Sequence, residues 1–333
     1  MALNIYMEQS AVRDGVTAEE VKGILLGMAS GQETLLGYFR RFIRNFEKRV
    51  GINRTVGSLR AYSNAYSHIE RFLQAQYKLS DIPFSALDRS FIDKYDLYLR
   101  TERNLAPGTI INLTVQLKTI VGEAIADGII TASPFMGYEP MRPKHVQKYL
   151  TAEELHRIMT TPLHRQTLYH VRDMFLFSCF TGIPYGDMRL LTKDNLCLAE
   201  DGIWWIKSAR QKTKIEFEIP LLDLPLQILK KYSGTAPGDK LLPMYCNSTL
   251  NLYLKEIARI CHIDRPLVFH AGRHTYATEI TLSHGVPLET VSRMLGHSQI
   301  ETTQIYAKVT DEKIDADTKA LNRKISERFS VVI

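Results

Sequence analysis

The sequence lacks the features that mark membrane, secreted and zinc-binding proteins. No apolar run reaches the roughly 18 to 20 residues that a bilayer span requires. The first residues contain no basic segment followed by an apolar core, which is the pattern of a secretory signal. The four cysteines lie far apart without a C-x-x-C pair, which excludes a zinc knuckle and a dithiol redox motif. We therefore expect a cytoplasmic protein with reduced cysteines and no membrane partner.

Charge of one sign is only slightly in excess. The chain has 42 Lys and Arg against 36 Asp and Glu, and 42 minus 36 gives a net charge of +6. This excess permits nucleic-acid binding without demanding it. With 333 residues, of which 45% are hydrophobic and 23% charged, the chain exceeds one typical domain of about 100 to 200 residues. We expect a globular protein of two domains, each with its own core.

The first half of the chain is predicted to be a helical bundle over residues 31–132, after an unassigned segment, residues 1–30. Apolar residues recur there every three or four positions, as on the buried face of a helix. Pro107 suits the first turn of a helix because it has no amide hydrogen to lose. Residues 133–149 carry three prolines and no periodic apolar face, which predicts a linker.

The second half is predicted to be a mainly helical domain over residues 150–310. Thr151 and Glu154 have the spacing of a capping box, which starts a helix. Residues 203–221 are rich in strand formers and predict two strands joined by a basic turn. A tail helix is predicted over 311–333, with four apolar residues to bury: Ile314, Leu321, Ile325 and Phe329.

The chemically informative residues lie in the second domain. His270 and Arg273 are three residues apart and share a helix face. His297 and Tyr306 follow downstream, and Lys212 stands upstream in the predicted hairpin turn, so the five predict a cationic pocket around one phenol. A metal site at His270 and the histidine four residues later is not expected, because no H-E-x-x-H motif or third acidic ligand accompanies them.

The motif H-x-x-R, followed by L-G-H-x-x-x-x-T-T-x-x-Y and preceded by a hairpin lysine, resembles the active-site region of the tyrosine recombinases, or phage-type integrases. The resemblance covers about residues 34 to 320. It implies a mainly α fold with a small β-hairpin or sheet. In the family this fold is a two-domain DNA clamp, made of a helical core-binding bundle and a mixed α/β catalytic domain.

The same resemblance implies a mechanism. Tyr306 would attack a scissile DNA phosphate and remain joined to the 3′ phosphate. A free tyrosine has a pKa near 10, so its phenol needs neighbouring cations and hydrogen bonds to become a nucleophile. Arg273 would hold the phosphate oxygens, His270 and His297 would donate or shuttle protons, and Lys212 would protonate the leaving 5′ oxygen. No metal or other cofactor is implied.

One position departs from the family pattern. After the Thr-Gly of residues 181–182 the family carries an arginine two residues beyond the glycine, whereas this chain has Pro184. Losing one guanidinium from a phosphate clamp costs several kcal/mol of transition-state stabilisation, by analogy with an oxyanion-hole donor. Three residues are candidates to replace it: Arg189, Arg172 and Arg210.

Two other functions fit parts of the sequence. Residues 285–306 look like the helix-turn-helix of a non-catalytic DNA-binding protein, but that interpretation leaves Arg273 and the Lys212 hairpin unexplained. A type IB topoisomerase-like enzyme would use a similar pocket, although a separate bundle and a linker favour a recombinase. A covalent protein–DNA adduct distinguishes an enzyme from a non-catalytic DNA-binding protein.

The resemblance further implies double-stranded DNA as partner, and a homotetramer that acts through a four-way junction. Accessory DNA-bending proteins are compatible with it. Arg54, Arg60 and Lys118 are candidate phosphate contacts in the first domain. We expect a mobile-element integrase at the nucleoid of a bacterium. Packing of the tail helix in cis or on a neighbouring protomer stays open, as does the presence of an additional arm-binding domain, for which the roughly 30 residues before the bundle are too few.

Overall fold

The computed structural model describes residues 33–141, 148–306 and 311–325. The chain divides into two compact units between His145 and Val146. The described part is mainly helical with one small antiparallel sheet, which confirms the predicted fold class. In the described ranges, no helix is both long enough and apolar enough to cross a bilayer.

The first unit is a helical bundle. Its helices are α1 (Leu35–Glu47), α2 (Val56–Phe72), α3 (Arg89–Thr101) and α4 (Pro107–Ala126). A π-helical turn, Leu73–Tyr77, extends α2, and Pro107 occupies the first turn of α4 as predicted. Buried aromatic rings dominate the core, in edge and tilted contacts that include Phe39, Phe72, Phe91 and Tyr95. Phe135 and Tyr138, in the predicted linker, also pack on this core.

The second unit begins as the sequence predicts. The capping box of Thr151 and Glu154 starts helix α5 (Ala152–Thr160), and α6 (Gln166–Thr181) follows. Almost every side chain in the last two turns of α6 is buried, which makes α6 the central helix of this unit. The further α-helices described in this unit are 4 to 15 residues long: α7 (Tyr185–Met188), α8 (Asp223–Lys231), α9 (Asn247–Ile260), α10 (Ala271–Thr275), α11 (Leu288–Met294), α12 (Glu301–Gln304) and α13 (Asp311–Ile325).

The sheet contains the predicted hairpin and one further strand. β2 (Trp204–Ala209) pairs antiparallel with β3 (Glu216–Pro220), with Ile206 opposite Ile219. The turn between them, residues 210–215, is the basic turn predicted from the sequence. β1 (Leu196–Leu198), which the sequence pattern did not single out, pairs with β2 on its other side.

The segment that resembled a helix-turn-helix has a different geometry. After α10 the chain continues through a π-helical turn, Tyr276–Thr281, and a 3-10 turn, Leu282–His284. The second of the two following helices, α12, has four residues, which is one turn and too short to lie along a DNA groove as a recognition helix. The structure therefore gives no support to the non-catalytic alternative.

The structure describes the tail helix α13 as far as Ile325, and Phe329 lies outside the described residues. Ile314, Leu321 and Ile325 are all exposed.

Candidate active site

A cavity of about 860 Å³ in the second unit brings the predicted site residues together. Its walls come from the start of the unit, the β2–β3 turn, the α10 region and the chain from Gly296 to Tyr306. All five residues that the motif singled out line it: Tyr306, Arg273, His270, His297 and Lys212. Residues that the motif spaces along the chain are thus brought together in a single site.

Close packing of α10 on α6 positions Arg273. A Cβ on Gly272 would lie 2.9 Å from the Ser178 Oγ, so only glycine lets the two helices approach this closely. The Arg273 side chain is 3% exposed. Its Nη1 donates to the Gly182 carbonyl at 2.9 Å, and its Nη2 donates to the Leu295 carbonyl at 2.7 Å. These carbonyls fix the plane of the guanidinium inside the cavity.

Arg273 keeps its charge despite this burial. Burial, and then the neighbouring cation Arg210, lower the pKa of Arg273 to about 10, while a hydrogen bond with Tyr306 acts in the opposite direction. A pKa near 10 leaves the guanidinium protonated at neutral pH. Because a desolvated cation binds an anion more strongly than a hydrated one, the buried Arg273 is suited to a phosphate.

His297 is held in one tautomer. Arg273 Nη2 lies 2.8 Å from His297 Nε2, and a guanidinium can only donate, so Nε2 is the acceptor. Nδ1 then carries the proton and donates to Thr303 Oγ1 at 2.7 Å. Burial, with Arg273 and Arg210 as the next causes, lowers the pKa of His297 to about 4. The imidazole is therefore neutral at pH 7.

The Tyr306 ring is packed between two imidazoles. It is 7% exposed and stacks on His297 with the ring centroids 6.3 Å apart. His274 meets its edge at 5.1 Å, and His274 in turn contacts His270 at 4.9 Å. Sequence reasoning considered His274 only as a metal ligand and missed its contact with Tyr306. The signal in the sequence was that His274 lies one helical turn after His270 and so shares its helix face.

The two histidines of the α10 region are neutral at pH 7. Partial burial and then Arg273 lower the pKa of His270, while burial and then His270 lower the pKa of His274 to about 4. Neutral imidazoles can accept a proton. Across the described ranges, no group of three His, Cys, Asp or Glu side chains could hold a metal ion.

Lys212 lies on the exposed β2–β3 turn and faces the cavity. The backbone of this turn is closed by two hydrogen bonds, from Arg210 N–H to the Ile215 carbonyl and from Lys214 N–H to the Arg210 carbonyl, both at 2.8 Å.

The structure separates the three candidates for the missing arginine. Arg172 donates to the Met159 and Thr161 carbonyls, and Arg189 lies over the Tyr185 ring; neither lines the cavity. Arg210 does line it, and its Nη1 donates to the Leu295 carbonyl at 2.9 Å, the oxygen that also accepts from Arg273. Two guanidinium groups therefore lie side by side in the cavity.

In the part of the chain that the structure describes, the three candidate phosphate contacts of the first unit do not contact one another. Arg54 follows α1 and lies over the Phe46 ring at 5.2 Å. Arg60 on α2 and Lys118 on α4 are exposed. Arg54 lines a smaller cavity with basic and aromatic residues of α1, of α2 and of the segment between them, among them Arg41 and Arg49.

Comparison with known proteins gives a consistent result. Residues 148–313 match the model of the phage integrase family, and residues 34–140 match the phage integrase SAM-like domain. The tyrosine recombinase XerD of Listeria monocytogenes is 25% identical over 273 residues, covering 77% of this chain and 89% of its own. XerD of Staphylococcus saprophyticus is 26% identical over 297 residues, with coverage of 85% and 96%.

Solved structures show the same fold at lower identity. The Tn1549 transposon integrase in complex with transposon right end DNA has a TM-score of 0.67 at 19% identity, covering 87% of this chain and 99% of its own. A lambda integrase dimer bound to a COC′ core site has a TM-score of 0.67 at 18% identity, with coverage of 84% and 100%. A lambda integrase tetramer bound to a Holliday junction has a TM-score of 0.64 at 16% identity, with coverage of 92% and 88%.

Proposed function

Because the chain belongs to the phage integrase family and is a site-specific tyrosine recombinase, we propose that its cavity breaks and rejoins duplex DNA with Tyr306 as the nucleophile. The observation that carries this proposal is the convergence of the Tyr306 phenol, the guanidinium groups of Arg273 and Arg210, three neutral imidazoles and the Lys212 side chain in a single cavity. The phosphate would be bound between Arg273 and Arg210.

The proposed cleavage is a transesterification. The Tyr306 oxygen forms a bond to phosphorus while the bond from phosphorus to the 5′ oxygen breaks. The phenol proton passes to a neutral imidazole, for which His270 is suited, and Lys212 gives a proton to the departing 5′ oxygen. In the reverse step the 5′ hydroxyl of a second strand attacks the phosphotyrosine and releases Tyr306.

Arg210 takes the place of the absent arginine in this proposal. The two guanidinium groups would stabilise the charge that grows on the non-bridging oxygens during attack. Removing one preorganised donor of this kind costs about 10² to 10³ in rate. We therefore expect Arg210→Ala to slow cleavage by that factor, and Arg172→Ala and Arg189→Ala to cleave at the wild-type rate.

The proposal is tested by a cleavage assay on nicked duplexes drawn from the DNA that flanks its gene, without added metal. A nick next to the scissile phosphate lets the short fragment that carries the released 5′ hydroxyl diffuse away, so the covalent adduct accumulates and is seen on a denaturing gel. We expect an adduct with the wild-type chain and none with Tyr306→Phe. An adduct that persists in Tyr306→Phe, or DNA binding without any adduct, would overturn the proposal.

We further propose that the chain acts as a multimer on a four-way DNA junction and serves integration and excision of a mobile element at the bacterial nucleoid. The lambda integrase tetramer on a Holliday junction has this fold and supports the assembly. In this proposal residues 31–132 and 150–310 each contact the duplex, and residues 133–149 link them. Cross-linking of Tyr306→Phe on a synthetic junction tests the assembly: four copies per junction are expected, and one copy would contradict it.

A further inference from the structure

Asp187 has no part in the mechanism above, yet it is tied to the cavity wall by two atoms. It lies in α7, three residues after Pro184, and is 6% exposed. Its Oδ2 is 2.7 Å from Nε of Arg210, and its Oδ1 accepts from the backbone N–H of Gln211 at 2.8 Å. One carboxylate therefore holds both the side chain and the backbone at the point where β2 enters its turn.

The ion pair compensates the buried charges of Arg210 and Asp187. Within the described ranges, Arg210 Nε and Asp187 Oδ2 are both buried and neither has a hydrogen-bond partner, so each depends on the opposite charge of the other. Removing one member of a buried ion pair leaves an uncompensated charge. Without Asp187, the Arg210 side chain would keep its hydrogen bond to the Leu295 carbonyl and lose the contact that fixes Nε.

The proximity of Arg210 and Arg273 makes a counter-charge necessary. Both donate to the Leu295 carbonyl, and after burial the charge of Arg210 is the next cause that lowers the pKa of Arg273. Asp187 acts against this repulsion, since its charge raises the pKa of Arg273. A carboxylate at this position keeps two like charges together before any phosphate is bound.

The contacts of Arg210 also leave part of its guanidinium available. Nε faces Asp187 and Nη1 faces Leu295, whereas Nη2 has no hydrogen-bond acceptor among the residues that the structure describes. Nε and Nη1 are thus fixed by protein atoms, and the residue lines the cavity that holds Tyr306.

We propose that Asp187 is a positioning residue that holds the Arg210 guanidinium in the phosphate clamp beside Arg273. This inference rests on the proposed function, because it assigns Arg210 to the scissile phosphate. In this arrangement the Asp187 carboxylate on α7 holds Arg210 of the hairpin. The stretch of chain that carries Asp187 is the one in which the family pattern has its own arginine.

The test compares full-length variants in the adduct assay, on two substrates that differ only at the scissile phosphorus. One substrate is the ordinary phosphodiester. The other is a methylphosphonate, which replaces one charged oxygen by a methyl group and so needs less cationic stabilisation. The variants are Asp187→Asn, Arg210→Ala and the double variant, each compared with wild type on the same substrate.

A matched control is available in the same unit. Asp173 is also 6% exposed and is ion-paired, with Lys231 at 2.6 Å, but Lys231 does not line the cavity, whereas Arg210, the partner of Asp187, does. Asp173→Asn therefore reports what the loss of a buried carboxylate does to the folded unit as a whole. Asp187→Glu keeps the charge and provides the conservative comparison.

We expect Asp187→Asn to slow phosphodiester cleavage about 100-fold, close to the effect of Arg210→Ala. The double variant should be no slower than Arg210→Ala alone, because residues that act as a unit are not additive. On the methylphosphonate the loss should shrink to a few-fold, and Asp187→Glu should recover part of the rate. Asp173→Asn should show the same ratio to wild type on both substrates.

The inference is overturned if Asp187→Asn cleaves at the wild-type rate, if its loss adds to that of Arg210→Ala, or if its loss is equal on the two substrates, as for a protein that is merely less folded. Each of these results leaves the assignment of Tyr306 intact. Absence of a Tyr306-dependent adduct in the wild-type chain would instead overturn the proposed function, and this inference with it.

Discussion

Replacing Gly182 by alanine tests how the α6 terminus builds the site. Gly182 has φ +69° and ends α6, and its carbonyl accepts from Arg273. A Cβ there would lie 2.5 Å from Cδ1 of Tyr276 and 2.8 Å from Cδ2 of Leu295, which are contacts that no folded protein tolerates without a shift. The substitution therefore adds a steric clash to the conformational cost of a left-handed alanine.

The two costs can be separated with a second glycine. Gly202, in the turn between β1 and β2, has φ +82° but nothing within 4 Å of an added Cβ. Gly202→Ala should cost only the left-handed conformation, about 1 to 2 kcal/mol. Gly182→Ala should cost that plus about 1 to 3 kcal/mol of overpacking, or about 2 to 5 kcal/mol in total.

The assay is urea unfolding followed by tryptophan fluorescence. Both tryptophans of the chain, Trp204 and Trp205, lie in β2, so the signal reports the second unit alone. Gly182→Ala should also cleave DNA at least about 100-fold more slowly, since displacing a catalytic group by about 1 Å has that effect. Gly202→Ala should cleave normally. Equal unfolding free energies for the two variants would refute the steric argument.

Three further predictions concern the cavity. The pKa values of His297 and His274 are lowered from the ordinary histidine value of 6.5 to about 4. Between pH 6.5 and pH 4 the unfolded chain therefore binds more protons than the folded chain, and the unfolding free energy should fall as the pH drops through this range. An unfolding free energy that stays constant down to pH 4.5 would contradict this. Thr303→Val should cost about 1 to 3 kcal/mol and slow cleavage, because it leaves the buried N–H of His297 without an acceptor; unchanged urea midpoint and rate would argue against the assigned tautomer. Lys212→Ala should slow cleavage by about 10² or more, whereas Lys214→Ala, on the same turn but outside the cavity, should not. A substrate with sulfur at the 5′ bridging position, which leaves without a proton, should restore the Lys212 variant and not Tyr306→Phe.

Local patterns determined much of this protein from the sequence. The capping box at Thr151, the proline that opens α4 and the alternation in the hairpin depend on residues close together in the chain, so each can be interpreted without the fold. The order of the motif residues likewise identified the members of the cavity, because a family motif is read by spacing. β1 escaped detection because three residues are too few to show a period.

Tertiary structure decided what the spacing could not. Arg172, Arg189 and Arg210 are equivalent as sequence, and only the packing of the hairpin against α7 and the Leu295 carbonyl brings Arg210 beside Arg273. The role of Asp187 was hidden for the same reason, since its partner lies 23 positions further along the chain, 210 minus 187. Charge pairing and phosphate geometry depend on distances of about 3 Å between distant parts of the chain. Periodicity and helix caps depend on residues that are close together in the chain. The contacts of Arg210 with Asp187 and with the Leu295 carbonyl, in contrast, exist only once the helices and the sheet are packed together.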